Sequence, residues 1–461
     1  MLTAPPRLPG WLATAPWADP GLSILDDAVL GEVRLLILGH PGGDARYFAP
    51  VLGDTDACRT GAFDRAVVDA MRAGLTLPTR AGHSIDFRGT PEAYTGGLAF
   101  DPGWSSNSLS LLDLRGTACA HKTYRRITPG SREPGLLRAL SGSGQTQKPL
   151  GEYAYRTATD RVPLGMIYEY ADGDGLDVPL RDNLHATWAG RATADDLAAA
   201  LTGAGAFLRE FHGELARRLG PAPPVRADDV LAETRDRIAE LAPVILADDG
   251  YPMPARRAVL DALYAGCAEP VDWPAGASHG DLHLSHFLRT VASDGGWRMV
   301  LIDLSTPPLD PADPRHSAQS PWQDAVALLR GLACFTADEY AARAARDLAA
   351  EPAAPDPAAD PVPGKEDVCR WEFLRAAGLP PDRPGWTDDR LARLDRLRSA
   401  TVGWQNRISD LFLRGYAPAV HPAWRLLRTR RILHELAYAY EHERTYYAAI
   451  TLRHAVEQSG S

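Results

Sequence analysis

The residues with the clearest chemical potential stand between Ser278 and Ser305, in the run SHGDLHLSHFLRTVASDGGWRMVLIDLS. His279-Gly280-Asp281-Leu282-His283 is a polar turn that holds one carboxylate, Asp281. Further on, Met299-Val300-Leu301-Ile302 is a continuous apolar run ending on a second carboxylate, Asp303. A short apolar run of this kind reads as a buried strand that delivers the acid at its end. Two acids, one in a glycine-containing loop and one at a strand end, suit phosphoryl transfer. One orients the acceptor hydroxyl and accepts its proton, and the other holds the magnesium ion that bridges nucleotide phosphates.

Positioning such acids takes strands and helices, and the chain supplies candidates along its length. Residues 33–38 read as a strand stopped by Gly39, with a Pro41-Gly42-Gly43 turn and a pairing partner at 47–52. Residues 60–73 have helical spacing, with Phe63, Val67, Val68 and Met71 on one face. Alternation at 108–111 and the run 117–124 suggest two strands about Gly116, the second presenting Lys122. Glu133 opens a short helix, and 165–170 is a strand that runs into the polar turn 172–175. Segments 195–219 and 228–246 are amphipathic helices. Ser320-Pro321 starts another, with proline at its first position and Asp324 ahead of an apolar run. Residues 347–365 are rich in Ala, Pro and Asp and read as an exposed loop insertion. Helical patterning returns at 387–416, and one last helix is expected from 425 to 455, with Ile432, Leu433, Leu436, Ala437 and Tyr440 as its core face. Glu435 and Tyr438, three apart, share one side of it.

The string around Asp281 resembles the catalytic core of the aminoglycoside-phosphotransferase-like kinases, and most closely their maltokinase and glucosamine-kinase group. His279, Gly280, Asp281, His283, Leu288, Arg289 and Thr290 match that group's H-G-D-x-H-x-x-Q-V-L-R-T. Lys122, Tyr124, Arg125, Arg126 and Gly130 resemble K-x-[FY]-R-R-x-x-x-G, and Ser320, Pro321, Asp324, Leu329 and Arg330 resemble S-P-x-x-D-V-A-x-x-L-R. Phe412-Leu413-Arg414-Gly415-Tyr416 is similar to F-L-x-G-Y. The resemblance implies an α+β, bilobal protein-kinase-like (aminoglycoside phosphotransferase-like) fold. It would have an N-terminal cap subdomain (1–100), a nucleotide-binding N-lobe (101–176) and a mainly helical C-terminal lobe with the catalytic loop and acceptor site (177–461).

The resemblance also implies an activity, the ATP-dependent transfer of the γ-phosphoryl group to a hydroxyl of a sugar, amino sugar or sugar-like molecule. On that basis Asp281 is the base, Asp303 holds Mg2+ (or Mn2+), and Lys122 holds the nucleotide phosphates with Glu133 as its partner. Glu169 and Tyr170 lie at the hinge whose backbone pairs with adenine. Glu435 and Tyr438, in a string like Y-E-x-x-Y, face the acceptor together with His283, and Trp404 offers an apolar ring face. Asp324 braces the catalytic loop, and His212 is a packing histidine.

Three positions depart from the pattern. The amide expected five residues after Asp281 is His286, here assigned as second metal ligand although imidazole suits softer metals than magnesium. The acid expected after Asp303-Leu304 is Ser305. The helix glutamate stands before Pro134-Gly135 rather than directly before Leu-Leu. These departures set beside the kinase reading a catalytically degenerate relative that binds nucleotide or sugar; the acidic balance of the chain permits a third reading, an antibiotic-modifying phosphotransferase, from which the strings around Lys122 and Asp281 point away.

The whole chain is compatible with these readings. Its 461 residues allow two or three domains, or a bilobed enzyme with a cap. A hydrophobic share of 45% supports a large core. The net charge of −10 argues against a nucleic-acid or anionic-membrane partner and leaves a small-molecule acceptor as the expected one. Five cysteines with no CxxC pair suggest neither a disulfide framework nor a zinc site. With no leader-like N-terminus and no apolar run of spanning length, the expected location is the cytoplasm.

Overall fold

The computed structural model describes residues 8–15, 17–44, 46–101, 107–268, 272–291, 297–304, 318–349, 364–379 and 388–458. Ser305 and most of the expected loop insertion (350–363) lie outside these residues. The chain divides into two compact units, residues 1–173 with 290–316 and residues 174–289 with 317–461.

The first unit is built on two antiparallel sheets. Strands β1 (Ser23–Leu30), β2 (Val33–Gly39), β3 (Tyr47–Leu52) and β4 (Thr55–Asp56) form a four-stranded meander in chain order. The pairing expected between 33–38 and 47–52 is present, with Leu36 opposite Ala49 and Ile37 opposite Phe48. Helix α1 (Gly61–Arg72) begins at Thr60, whose hydroxyl accepts from the Phe63 N–H at 3.3 Å, an N-cap that satisfies one orphan donor. Its apolar residues Phe63, Val67, Val68 and Met71 are all buried.

The second sheet has seven strands in the order β5, β6, β10, β11, β9, β8, β7. These are β5 (Thr76–Pro78), β6 (Ser84–Gly89), β7 (Tyr94–Leu98), β8 (Ser108–Leu114), β9 (Thr117–Thr123), β10 (Pro149–Arg156) and β11 (Arg161–Glu169), with helix α2 (Glu133–Ala139) between β9 and β10. Strand β9 lies between β8 and β11, with Lys122 opposite Leu109 on one side and Met166 on the other. The expected cap (1–100) and the expected nucleotide lobe (101–176) therefore share one sheet, because β6 pairs with β10 along Ser84–Gly89. The strand Trp297–Leu301 also belongs to this unit. Leu301 donates its N–H to the Gln145 carbonyl at 2.8 Å. The strand stops one residue earlier than the apolar run suggests. Ile302 lies beyond it, and Asp303 has the left-handed backbone angle φ 56°.

The second unit is mainly helical. It holds α3 (Asp177–Trp188), α4 (Ala198–Leu219), α5 (Ala227–Ala247), α6 (Met253–Ala265), α7 (Pro321–Ala349), α8 (Lys365–Ala376), α9 (Asp388–Tyr416), α10 (Trp424–Glu441) and α11 (Thr445–Glu457). Proline opens α7 as expected, and the Ser320 hydroxyl accepts from the Trp322 N–H. Helices α5, α6 and α10 bury one cluster that includes Val230, Ile238, Val259, Leu263, Leu433 and Leu436. Helices α7, α8, α9 and α11 contribute to a second, with Tyr340, Val368, Trp371, Leu394 and Ile450.

The single last helix expected from 425 to 455 is instead two, α10 and α11. Glu443 adopts a left-handed φ of 53°, and Arg444 returns its N–H to the Ala439 carbonyl at 2.8 Å, so the chain turns there. Ala437, expected on the core face, is exposed, whereas Ile432, Leu433 and Leu436 are buried. Among the described residues no helix is long and apolar enough to cross a membrane.

Helices α4 and α9 touch through glycine. A Cβ at Gly205 would overlap the Phe412 carbonyl oxygen, and one at Gly415 would overlap that of Thr202. Gly213, in the same helix α4, has nothing within 4 Å of its Cβ position. Gly415→Ala is expected to lower stability by about 2 kcal/mol through overpacking. Gly213→Ala should raise it by as much as ~1 kcal/mol through helix propensity. Denaturant midpoints of the two variants measure the contrast.

Candidate active site

In the first unit the site begins with a buried cation. Lys122 is 5% exposed on β9 and has two acidic partners. Its Nζ donates to Glu133 at 2.9 Å and also to Asp303. Burial alone would pull the Lys122 ammonium down, but the charges of Asp303 and Glu133 outweigh it and hold the group above its ordinary value. Glu133, at the start of α2, also accepts from the Tyr124 hydroxyl at 2.7 Å. Its displacement toward the helix start therefore leaves the lysine–glutamate pair intact. Asp303 reaches Lys122 from the left-handed turn that ends the strand Trp297–Leu301.

The hinge residues follow from the same sheet. The Glu169 N–H donates to the Lys148 carbonyl at 2.9 Å, and the Tyr170 N–H to the Ala118 carbonyl at 3.0 Å. The Glu169 carboxylate pairs with Lys148, and Tyr170 meets Phe100 edge to face. Both N–H groups are thus engaged within the protein.

In the second unit the Asp281 loop hangs on one carboxylate. Asp324, 1% exposed in the first turn of α7, accepts the His279 N–H at 2.6 Å and the Gly280 N–H at 3.0 Å. Gly280 has φ 95°, a backbone conformation that glycine adopts without strain. Asp324 also contacts His212 Nε2 at 2.8 Å, and His212 Nδ1 meets the Tyr416 hydroxyl at 3.1 Å. With the carboxylate as acceptor, the His212 proton is on Nε2. Sequence reasoning treated this residue as packing only. It is a link in the brace.

Asp281 itself is 40% exposed. Burial would raise its carboxyl. A hydrogen bond from His283 Nε2 at 3.0 Å, with the charges of His283, Arg431 and His286, outweighs that and holds it well below the ordinary carboxylate range. Arg431 Nη1 stands 3.9 Å from Asp281 Oδ1. His286 donates from Nδ1 to the Asp281 carbonyl at 2.9 Å and stacks on His279.

The expected acceptor residues have different surroundings. Glu435 is held between two guanidiniums, Arg330 at 2.6 Å and Arg431 at 2.8 Å. Tyr438 is half-buried, with His442 edge-on and Arg444 over its ring. Trp404 is 3% exposed and donates its Nε1–H to Asn183 at 2.7 Å, so its ring packs between helices and opens no face to a sugar. Arg431 carried no expected role. The signal was present, since Arg431 and Glu435 stand four apart on a helix, the spacing at which opposite charges meet.

The donor set accepts a hard cation in part. Asp303 offers carboxylate oxygen, the ligand that magnesium takes together with nucleotide phosphates and water rather than from an all-protein cage. Among the described residues no cluster of three or more His, Cys, Asp or Glu is disposed to hold a metal.

Comparison with solved structures shows which architecture this is. A glucosamine kinase matches over 97% of this chain and 96% of its own, with a TM-score of 0.58 at 19% identity. The chain has the fold of a glucosamine kinase. A second structure, glucosamine kinase in complex with glucosamine, ADP and inorganic phosphate, matches over 96% of both chains, with a TM-score of 0.56 and 18% identity. Another crystal form of glucosamine kinase matches at 0.54 and 18%, over 94% of this chain and 90% of its own. The α+β, protein-kinase-like fold expected from the motifs is therefore the fold found. No protein-family profile matches the sequence.

The Glu435 clamp gives a pH-dependent prediction. Burial raises this carboxyl, but Arg330 and Arg431 overcome it and depress it from 4.5 to about 2. A depressed carboxyl stabilises the fold above its unfolded value, and the contribution is lost as pH falls through the folded one. Glu435→Gln should cost about 3 kcal/mol at pH 7, because it leaves Arg330 buried without its partner. In thermal melts the gap to wild type should close as pH falls from 4.5 toward about 2.

Proposed function

We propose that the chain is an ATP-dependent phosphotransferase that moves the γ-phosphoryl group to a hydroxyl of a sugar, amino sugar or sugar-like molecule. The observation that carries this reading is Lys122 paired with both Glu133 and Asp303. A buried lysine fixed by a helix glutamate, beside an acid at a strand end, is the phosphate-handling set of kinase-like enzymes. A braced loop presenting Asp281 supplies the other half of the chemistry.

In this reading Asp281 accepts the acceptor's hydroxyl proton, and His283 and Arg431 orient its carboxylate. Lys122 holds the nucleotide phosphates, with Glu133 fixing its Nζ. Asp303 would hold the divalent cation, which supplies charge neutralisation on the phosphates when bound. Asp303 pairs with Lys122, which keeps the ammonium beside the acid that would hold the cation. Glu169 and Tyr170 contribute to the base pocket through their carbonyls, since their N–H groups are engaged elsewhere. His286 stands where an amide ligand is expected, and its ring supports a second reading, a relative that binds nucleotide without transferring phosphate.

ADP release by the purified protein, with ATP and either Mg2+ or Mn2+, separates these readings across sugars, amino sugars and cyclitols. The phosphotransferase reading requires release that depends on one acceptor class. It also requires Asp281→Asn to lower kcat by about 10³-fold and Asp303→Ala to abolish turnover. Nucleotide binding with no release on any acceptor would establish the non-catalytic reading instead.

A further inference from the structure

The Asp324 carboxylate loads its two oxygens unequally. Oδ1 accepts the Gly280 N–H at 3.0 Å, whereas Oδ2 accepts both the His279 N–H at 2.6 Å and His212 Nε2 at 2.8 Å. The oxygen that holds the His279 end of the loop is therefore the one that faces the imidazole. That arrangement is stable only while Nε2 carries a proton. With the proton on Nδ1 alone, a ring lone pair would face Oδ2 at 2.8 Å, and the carboxylate would turn away and loosen its hold on the His279 N–H. Which ring nitrogen is protonated is set by the hydrogen bond that the other one makes.

For Nδ1 that bond is made by Tyr416. Its hydroxyl stands 3.1 Å away, on the last residue of α9, and Tyr416, His212 and Asp324 are all buried. Trp322 meets the Tyr416 ring edge to face at 4.9 Å and Phe412 stacks on it, so the ring is fixed and its hydroxyl is aimed. Burial and the charge of Asp324 push the phenol above its ordinary value, which keeps its proton in place. An O–H that stays protonated gives Nδ1 a donor and leaves Nε2 to donate to Asp324. We propose that Tyr416 is a positioning residue for Asp281, acting through the tautomer of His212. Helix packing requires only the Tyr416 ring, whereas this role requires the hydroxyl. Its effect on turnover rests on the phosphotransferase reading, and its effect on the loop does not.

Tyr416→Phe, made in the full chain, keeps the ring and removes only the O–H. NMR of isotope-labelled histidine should find the His212 proton on Nε2 in wild type and a mixture of tautomers in the variant. Amide exchange at His279 and Gly280 should quicken about tenfold in the variant, with exchange along α4 and α9 unchanged. With ATP, Mg2+ and the acceptor that turns over in the panel above, kcat should fall about tenfold while the KM for ATP stays within about twofold. His212→Gln supplies an amide N–H that can face Asp324 without a tautomer to fix, so adding Tyr416→Phe to it should cost nothing further. A wild-type His212 with its proton on Nδ1 alone, or unchanged exchange and kcat in Tyr416→Phe, overturns the proposal. A loss that persists in the His212→Gln background, or faster exchange spread evenly through the helices, marks a merely structural tyrosine and overturns it too. If wild type releases ADP with no acceptor, the phosphotransferase reading falls. The tautomer and the loop exchange then decide the positioning role by themselves.

Discussion

Lys122 carries a full charge into an interior that leaves it 5% exposed. An isolated ammonium there would shed its proton or open its surroundings to water. Two carboxylates prevent both outcomes, and they come from different parts of the chain. Glu133 arrives on the first residue of α2, eleven residues on, and Asp303 arrives after the strand Trp297–Leu301, one hundred and eighty-one residues on. The central sheet, the short helix and the late strand each bring one member of the pairs that hold this charge. The first unit is organised by that condition as much as by its apolar core.

The second unit solves a similar problem with the opposite sign. A loop that presents an ionised acid leaves backbone N–H groups turned inward, and Asp324 accepts two of them. The Asp324 carboxylate is itself secured by His212, and His212 by Tyr416, so a chain of hydrogen bonds runs from α9 through α4 to α7 and the loop. Such a network stabilises only when each member is satisfied, which ties the geometry of Asp281 to helices far from it in sequence. The close glycine contact of α4 with α9 places His212 and Tyr416 within reach of each other.

The polar turn at Asp281 and the acid after an apolar run were legible because their chemistry is local to a few residues. Strands β2, β3, β8, β9 and β11 were legible through apolar runs and alternation, and α7 through its Ser-Pro start. What escaped depended on partners chosen in three dimensions. Glu435 read as a sugar ligand because nothing in a string shows that Arg330, more than a hundred positions away, closes on it. Trp404 read as a ring face, although helix packing consumes it. The break at Glu443 carries no glycine or proline to announce it, so a periodic pattern ran straight through. The sheet shared across residue 100 was hidden because pairing of β6 with β10 spans some sixty residues of intervening chain.

The path of the chain has a bearing on its biosynthesis. The first unit takes its last strand from residues 297–301, yet residues 174–289 of the second unit are made in between. During translation the sheet can assemble once β11 has emerged, but the buried Lys122 then has Glu133 and not Asp303. The nascent first unit must wait through more than a hundred further residues with Lys122 paired to Glu133 alone, at ribosomal rates of about 5–20 residues per second. Only when Asp303 leaves the ribosome does the ion pair close. Closure of the Lys122–Asp303 pair is thereby placed after the Asp281 loop has been synthesised.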